Sequence, residues 1–312
     1  MRLDFIIPVY NEGAGLRGFH AGLREALASL PHDLRFFYVD DGSQDDTGAI
    51  LAGLARADAR VRPITLSRNF GHQAALGAGL DAATGDAVVM MDGDGQHPAA
   101  LVPEMVRLYQ AGYEVVETQR LEAGLGFKRA SGAAFYWLIN RLGETRIPAG
   151  AADFRLLSRD AVDALRQLRE YHRFYRGLVE WIGFRSVILP YTPAPRLAGR
   201  SRYSLRKMLR LAGDGLFSFS LAPLRLALVI GLLFLALLAV EIVYVLSFWI
   251  RGAERALAPG WSSLMIMLTM SSGISMILLG ILGFYVGMIF QEVKRRPVYV
   301  VRPEAKPGAA EQ

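Results

Sequence analysis

The chain of 312 residues contains no cysteine. Disulfides, thiolate nucleophiles and cysteine–zinc sites are thereby excluded. Histidine is sparse, five in all, and His72 and His97 have no neighbours at zinc-ligand spacing, so both read as local polar groups. No Walker A sequence occurs and the first turn lacks G-x-G-x-x-G, so a phosphate need not be cradled by glycine backbone. The N-terminus has no signal-peptide pattern: Arg2 and Asp4 lead at once into a short strand and Pro8. That predicts a globular part retained in the cytoplasm. Charge is missing altogether from Trp261 to Phe290.

What is present is an excess of apolar residues, 52% of the chain. That is high for a soluble protein and points to a mixed soluble and membrane chain. Residues 1–200 read as globular, and 223–290 hold most of the surplus. The formal net charge is +6, and its Lys and Arg residues cluster beside the apolar stretches. A cytoplasmic membrane surface fits that placement, and nucleic acid is not expected as a partner.

Short apolar runs recur at Leu3–Val9, Phe36–Val39, Pro63–Ser67, Ala87–Met91 and Glu114–Thr118. Helical patterns lie between them, at Ala14–Ser29, Asp46–Ala57, His72–Ala83 and Ala99–Ala111. This alternation predicts βαβ units and a mostly parallel sheet. Ligands of such sheets bind beyond the carboxyl ends of the strands. Asn11-Glu12, Asp40-Asp41 and the pair Asp92/Asp94 all fall at those ends.

The acids suggest a chemistry. In a loop leaving a strand, Asp92 and Asp94 can turn toward one cation, with Gln96 adding a neutral oxygen. Oxygen ligands suit Mg²⁺ or Mn²⁺ bridging phosphate oxygens. The bland alternative is an acidic turn, where Asp and Gly are common. Asp40 and Asp41 are placed to accept hydrogen bonds from a nucleobase N–H or a ribose hydroxyl, while Asp45 or Asp46 caps the next helix.

From Tyr203 to Phe219 apolar residues recur at helical spacing, with Arg202, Arg206 and Arg210 on another face. This predicts a basic amphipathic helix lying in a membrane interface. Two spans follow, Pro223–Ile250 and Trp261–Phe290, each longer than the ~20 apolar residues that cross a bilayer. The connecting loop carries Arg251, Glu254 and Arg255, whereas the outer flanks carry Arg200, Arg202, Arg206, Lys207 and Arg210 on one side and Lys294, Arg295 and Arg296 on the other. The positive-inside rule sets both flanks in the cytoplasm. Glu241 within the first span is a costly acid there. Gly283 and Gly287 form a small-xxx-small pair suited to helix packing between subunits. Residues 293–312 are expected to form a cytoplasmic tail, frayed from 303.

Pro8-Val9-Tyr10-Asn11-Glu12, Asp40-Asp41-Gly42-Ser43, Arg68-Asn69-Phe70-Gly71-His72 and Asp92-Gly93-Asp94-Gly95-Gln96-His97-Pro98 together resemble glycosyltransferase family 2. The likeness is to its polyisoprenyl-phosphate glycosyltransferases, which include bactoprenol glucosyltransferases and dolichol-phosphate mannose synthases. It continues through Phe127-Lys128-Arg129, Phe135-Tyr136, Asp153-Phe154-Arg155-Leu156, Gly199-Arg200-Ser201-Arg202-Tyr203 and both spans.

The resemblance implies a GT-A fold, Rossmann-like and α/β, over 1–200, then the amphipathic helix at 201–220, a transmembrane hairpin at 221–292 and the tail. It implies nucleotide contacts at Pro8, Tyr10, Glu12, Asp40, Asp41 and Asp92, and a Mg²⁺ or Mn²⁺ site at Asp92, Asp94 and Gln96. It implies lipid-phosphate or diphosphate contacts at Arg120, Lys128, Arg129, Ser131, Arg155, Arg196 and Arg202. Asp94 and Asp153 become catalytic candidates, Asp153 being an acid near the reaction centre. Two departures are Gly132, where the family commonly has Ser, and Arg202 in place of Lys, a planar fork for an ammonium.

The implied reaction is inverting transfer of a sugar from a nucleotide sugar to a polyprenyl phosphate. UDP-glucose and undecaprenyl phosphate lead, with GDP-mannose or a modified UDP-sugar as alternatives. The implied setting is the bacterial inner membrane, among membrane lipids, as a homo-oligomer such as a tetramer. A processive polysaccharide synthase fits less well: Arg173–Trp181 lacks the Gln-x-x-Arg-Trp motif. An inactive membrane scaffold is the rival from another class.

Overall fold

The computed structural model describes residues 1–121, 151–168, 170–171, 173–192, 222–251 and 260–303. The chain forms two compact units, one built on a β-sheet and rejoined by the chain from Arg296 onward, the other holding two long helices.

In the sheet unit the elements run β1 (Arg2–Val9), α1 (Gly13–Ala26), β2 (Asp33–Asp40), α2 (Thr47–Ala57), β3 (Val61–Thr65), α3 (His72–Ala82), β4 (Ala87–Met90), α4 (Val102–Gln110), β5 (Val115–Arg120), β6 (Ala151–Ser158), α5 (Arg159–Gln167), α6 (Tyr175–Trp181) and β7 (Ser186–Tyr191). The strands make one sheet in the order β3-β2-β1-β4-β6-β5-β7. β1, β2, β3 and β4 are mutually parallel, and β7 runs parallel to β5. β6 alone runs against both of its neighbours. This is the mostly parallel α/β sheet that the alternating pattern predicts.

The apolar runs explain the layering. Every residue of β1 after Arg2 is buried, and all of β4 is buried. Such continuous burial belongs to strands covered on both faces. Phe5, Phe36 and Tyr38 meet Leu16, Phe19 and Leu23 of α1 in one core. The exception in β1 is Asp4, fully buried, which takes a two-pronged bond from Arg35 at 2.8 and 2.9 Å and the N–H groups of Thr84 and Gly85 at 2.7 Å each. A buried carboxylate is tolerated when its lone pairs are filled in this way.

β6 and β7 were not among the sequence-derived strands. β6 carries charged Asp153 and Arg155 between its apolar residues, which masks a buried strand. Its reversal matters for function: in an antiparallel strand it is the amino end that reaches the carboxyl edge of the parallel ones. Ala151–Asp153 therefore arrives where the β4 turn begins. Met90, the last residue of β4, pairs with Arg155, two residues after Asp153.

The second unit contains α7 (Ala222–Ile250) and α8 (Trp261–Val293). Among the described residues, Met270–Val293 is the stretch long and apolar enough to cross a membrane, with mean hydropathy 2.2. Large apolar side chains are exposed on both helices, including Leu232, Val243 and Ile250 on α7 and Leu268, Ile277 and Phe290 on α8. The amphipathic stretch 203–219 lies outside the described residues.

Candidate active site

Two turns at the carboxyl edge carry the paired acids. The first, after β2, is laced to the end of β1. Asn11, in a left-handed conformation (φ 53°), donates its N–H to Ser43 Oγ (2.9 Å) and accepts from Gln44 N at Oδ1 (2.8 Å). Glu12 N donates to Thr47 Oγ1 (3.0 Å), and Gly13 N to Asp45 Oδ2 (3.2 Å). Gly42 sits at φ +69°, and a Cβ there would collide with the backbone of Arg68. Glycine is thus needed twice over, for its dihedral and for the close approach.

Asp40 accepts from Ser43 N at 2.9 Å and lines a cavity of about 810 Å³. Asp41 is spent differently. Its two oxygens accept from Phe70 N (2.7 Å) and Gly71 N (2.9 Å), which pins the loop before α3. Burial raises its carboxyl despite those bonds. Asp41, expected to accept from a base or ribose, is placed by the structure as a buried brace for the 68–71 loop. Pro8 lies buried within β1 opposite Val39, and Tyr10 is exposed just beyond it.

The second turn follows β4. Gly93 approaches β1 so closely that a Cβ would sit 2.8 Å from Val9 Cγ1. Asp94 Oδ1 accepts from Gln96 N (3.0 Å), shaping the turn, and Arg120 Nη2 donates to Gln96 Oε1 (3.2 Å). Asp92 N donates to His97 Nδ1 at 2.9 Å, so His97 carries its proton on Nε2, which faces Asp92 Oδ2 at 3.7 Å. Burial pulls the His97 imidazole down and keeps it neutral, stacked 5.1 Å from the Phe154 ring. Asp92 Oδ1 is buried without a hydrogen-bond partner.

His72 Nε2 joins the turns, lying 3.5 Å from both Asp92 Oδ1 and Asp153 Oδ2. Burial lowers its imidazole, but the Asp92 and Asp153 carboxylates outweigh that and lift it to about 9. Asp153 is gripped by Arg176, Nε to Oδ1 at 3.0 Å and Nη2 to Oδ2 at 2.8 Å. Burial would raise the Asp153 carboxyl; Arg176 and His72 instead hold it well below the usual range. The sequence reading missed His72 and Arg176. The signal for His72 was its place at the start of α3, directly after the loop that Asp41 pins.

Arg155, expected at a phosphate, is placed inside the sheet. It has no accessible surface and donates to the carbonyls of Ala152 (2.9 Å) and Tyr175 (3.5 Å). It lies 3.8 Å from Asp153, with Glu117 opposite it in the β5–β6 register, and so supports the acid. Lys128, Arg129, Ser131, Arg196 and Arg202 lie outside the described residues.

Among the described residues no three His, Asp or Glu side chains converge as a self-sufficient metal cage. Asp92, Asp94 and Gln96 nonetheless fit a hard cation, since Mg²⁺-type ions take one or two carboxylates and complete their shell with phosphate and water. Asp92 Oδ1, which has no hydrogen bond among the described residues and only the His72 imidazole at 3.5 Å, is an acceptor with capacity for such a group.

A mostly parallel sheet with acids at its carboxyl edge, one of them beside an Arg-gripped carboxylate, has the layout of a ligand-binding α/β protein. Comparison with known proteins gives the family. The model of "Glycosyl transferase family 2" matches residues 4–166. A glycosyltransferase of Bacillus subtilis (strain 168), YkcC, is 37% identical over 304 residues, 97% of this chain and 94% of its own. The bactoprenol glucosyl transferase of Shigella phage SfV is 34% identical over 309 residues, 97% of this chain and 99% of its own. The mannosyltransferase PcManGT of Pyrobaculum calidifontis, solved with GDP-Man and Mn²⁺, aligns with TM-score 0.47 at 18% identity, covering 89% of this chain and 87% of that one. The chain belongs to glycosyl transferase family 2.

Proposed function

We propose that this protein transfers a sugar from a nucleotide sugar to a polyprenyl phosphate at the cytoplasmic face of a bacterial inner membrane. UDP-glucose is the favoured donor and undecaprenyl phosphate the favoured acceptor. The observation that carries the reaction is the set of Asp92, His72, Asp153 and Arg176, brought together at the sheet's carboxyl edge. The acceptor class is supported by full-length relatives named bactoprenol glucosyl transferase. Membrane attachment is supported by α8 and, as the second span, by α7, 29 residues long. A homo-oligomer packed through Gly283 and Gly287 completes the proposal.

In this reading Asp92 and Asp94, with the Gln96 amide oxygen, hold Mg²⁺ or Mn²⁺ against the donor diphosphate. The bound ion supplies Lewis-acid neutralisation of the leaving group. Tyr10, Glu12 and Asp40 hold the nucleoside. Arg120, with Lys128, Arg129, Ser131, Arg196 and Arg202, clamps two anionic reactants that otherwise repel each other. The acceptor oxygen attacks the anomeric carbon and the nucleoside diphosphate departs, inverting the centre in one displacement.

A general base is dispensable here. A phosphate monoester with a second pKa of about 6 is already largely dianionic at neutral pH. Asp153, bidentate to Arg176 and strongly acidic, is a poor proton acceptor. Its role is to fix His72 and Arg176 around the reacting atoms.

The test is lipid-linked sugar formation by the purified protein, using undecaprenyl phosphate and a panel of labelled UDP- and GDP-sugars, with Mg²⁺, Mn²⁺ or EDTA. One labelled lipid product, abolished by EDTA, is expected. Folded protein that yields no product with any donor would sink the reading and favour the inactive scaffold.

A further inference from the structure

The chain after α8 does not simply trail off. It turns at Arg295, in a left-handed conformation (φ 49°), and returns to the open edge of the sheet beside β3. Ser67 N donates to Val300 O (2.8 Å), and Arg302 N donates to Thr65 O (2.7 Å). Leu66 and Val301 face each other between those two bonds as an antiparallel pair. The Tyr299 hydroxyl adds a clasp, donating to Asp81 Oδ2 at the end of α3 (2.6 Å). Three attachments thus fix a segment of about four residues, ordered by β-branched and aromatic side chains that favour extended pairing.

This strap borders a cavity. Val301, Arg302 and Pro303 line it together with Asp40, Ser43 and Arg68. At about 810 Å³ the space falls within the ~300–1,000 Å³ range of small-molecule sites. The polar groups around it are of two kinds. Asp40 is an acceptor. Arg68 and Arg302 are donors, and Arg302 reaches Ser67 O with one Nη at 3.4 Å while its guanidinium holds five N–H groups. An acceptor flanked by guanidinium donors complements a ring that presents an N–H beside carbonyl oxygens, as uracil and guanine both do.

We propose that the strap Arg296–Pro303 is a fixed wall of the donor site, and that Arg302 is a specificity-determining residue that donates to a carbonyl of the nucleobase. The inference rests on the nucleotide-sugar reading above and adds a residue from the far end of the chain to it. One consequence is covalent: the base-reading residue is joined to the end of α8 by the short run Lys294–Val301, so the anchor helix and the donor site share a stretch of chain.

The test uses the full-length protein in lipid nanodiscs and reads binding of free UDP and free GDP by calorimetry, alongside donor and acceptor kinetics. Arg302→Ala should weaken the preferred nucleotide on the order of tenfold, the scale of one charged hydrogen bond. Donor KM should rise in parallel, with kcat and acceptor KM within about twofold of the parent. The unfolding midpoint should be unchanged, because the strap is held by backbone bonds and Tyr299. A folded Arg302→Ala protein with parental nucleotide affinity overturns the inference and leaves the transfer reaction standing. A parent that binds neither nucleotide and forms no lipid-linked sugar overturns both.

A second variant tests whether the wall is fixed. Leu66 and Val301 are a non-hydrogen-bonded antiparallel pair, whose Cα separation of about 4.5 Å accepts a disulfide. Because the chain has no cysteine, Leu66→Cys with Val301→Cys creates a lone pair of thiols. The oxidised form should bind nucleotide as tightly as the same variant reduced. Loss of binding on oxidation, restored by reductant, would show that the strap must leave, and the fixed wall would be wrong.

Discussion

Two turns at the edge of one sheet carry paired acids and look alike in sequence, yet their carboxylates have opposite fates. At the β2 turn the protein's own N–H groups take up most of them: Asp41 accepts from Phe70 N and Gly71 N, and Asp45 from Thr47 N and Gly13 N, while Asp40 accepts from Ser43 N at Oδ1 and also lines the cavity. At the β4 turn Asp92 Oδ1 has no hydrogen bond among the described residues and is met only by the His72 imidazole at 3.5 Å. The first turn is built to be rigid. The second keeps an acceptor in reserve, a cost that folding alone does not justify. A pair of acids at a strand end is therefore not one signal; the donors around it decide between scaffold and site.

The largest expected effect should come from breaking the second turn. Asp94→Ala should cut turnover by roughly a thousandfold or more, on the order of 4 kcal/mol of transition-state stabilisation. The unfolding midpoint should scarcely move, because the turn lies at the surface of the fold. A fully active Asp94→Ala enzyme would end the metal assignment.

Asp41→Ala should show the reverse pattern. Two backbone N–H groups lose a charged acceptor, at a cost of about 2–4 kcal/mol. Hydrogen exchange at Phe70 and Gly71 should accelerate, and the loss of activity should follow the loss of folded protein. A stable Asp41→Ala protein with a specific defect in nucleotide binding would restore Asp41 to the donor site.

Asp153 stands between these extremes, being both bound by the fold and close to the reserved acceptor. Asp153→Asn should retain turnover within about tenfold, or ~1.4 kcal/mol, since asparagine keeps an oxygen for Arg176 and no proton needs removing. A collapse of several orders of magnitude with an intact fold would make Asp153 an essential base.

Much of this was legible from residues alone. The runs at β1 to β5 are apolar and regularly spaced by helical segments, and periodicity reports such alternation well. The placement of the acids followed from the strand-end rule. What stayed hidden depends on partners distant in sequence. Arg155 reads as a phosphate contact until β6 is seen to be buried between β4 and β5. Asp41 reads as a ligand until the 68–71 loop is folded over it. The strap did leave a local trace, Val298-Tyr299-Val300-Val301, a short β-forming run just beyond the last basic cluster. Its pairing partner is more than two hundred residues away, so no local pattern could name it.

The smallest expected effect probes the charges behind Asp153. Burial, and then the neighbouring Glu117 carboxylate, push Glu180 up to about 7 from the ordinary 4.5. The native protein therefore binds more protons than the unfolded chain between those values. Stability linked to Glu180 is fully present below about pH 4.5 and is lost as pH rises through about 7. Glu180→Gln keeps the shape and removes the charge. It should match the parent at pH 5 and exceed it at pH 8, by ~1–2 kcal/mol once solvent screening of this half-buried group is allowed for. Thermal unfolding at the two pH values reads the difference. If the glutamine variant is instead less stable at pH 8, the ionised Glu180 is held by Arg155 more strongly than Glu117 repels it. The buried acids behind Asp153 would then resemble the β2 turn, spent on the fold, and the reserve of unspent acceptors would narrow to the Asp92 turn.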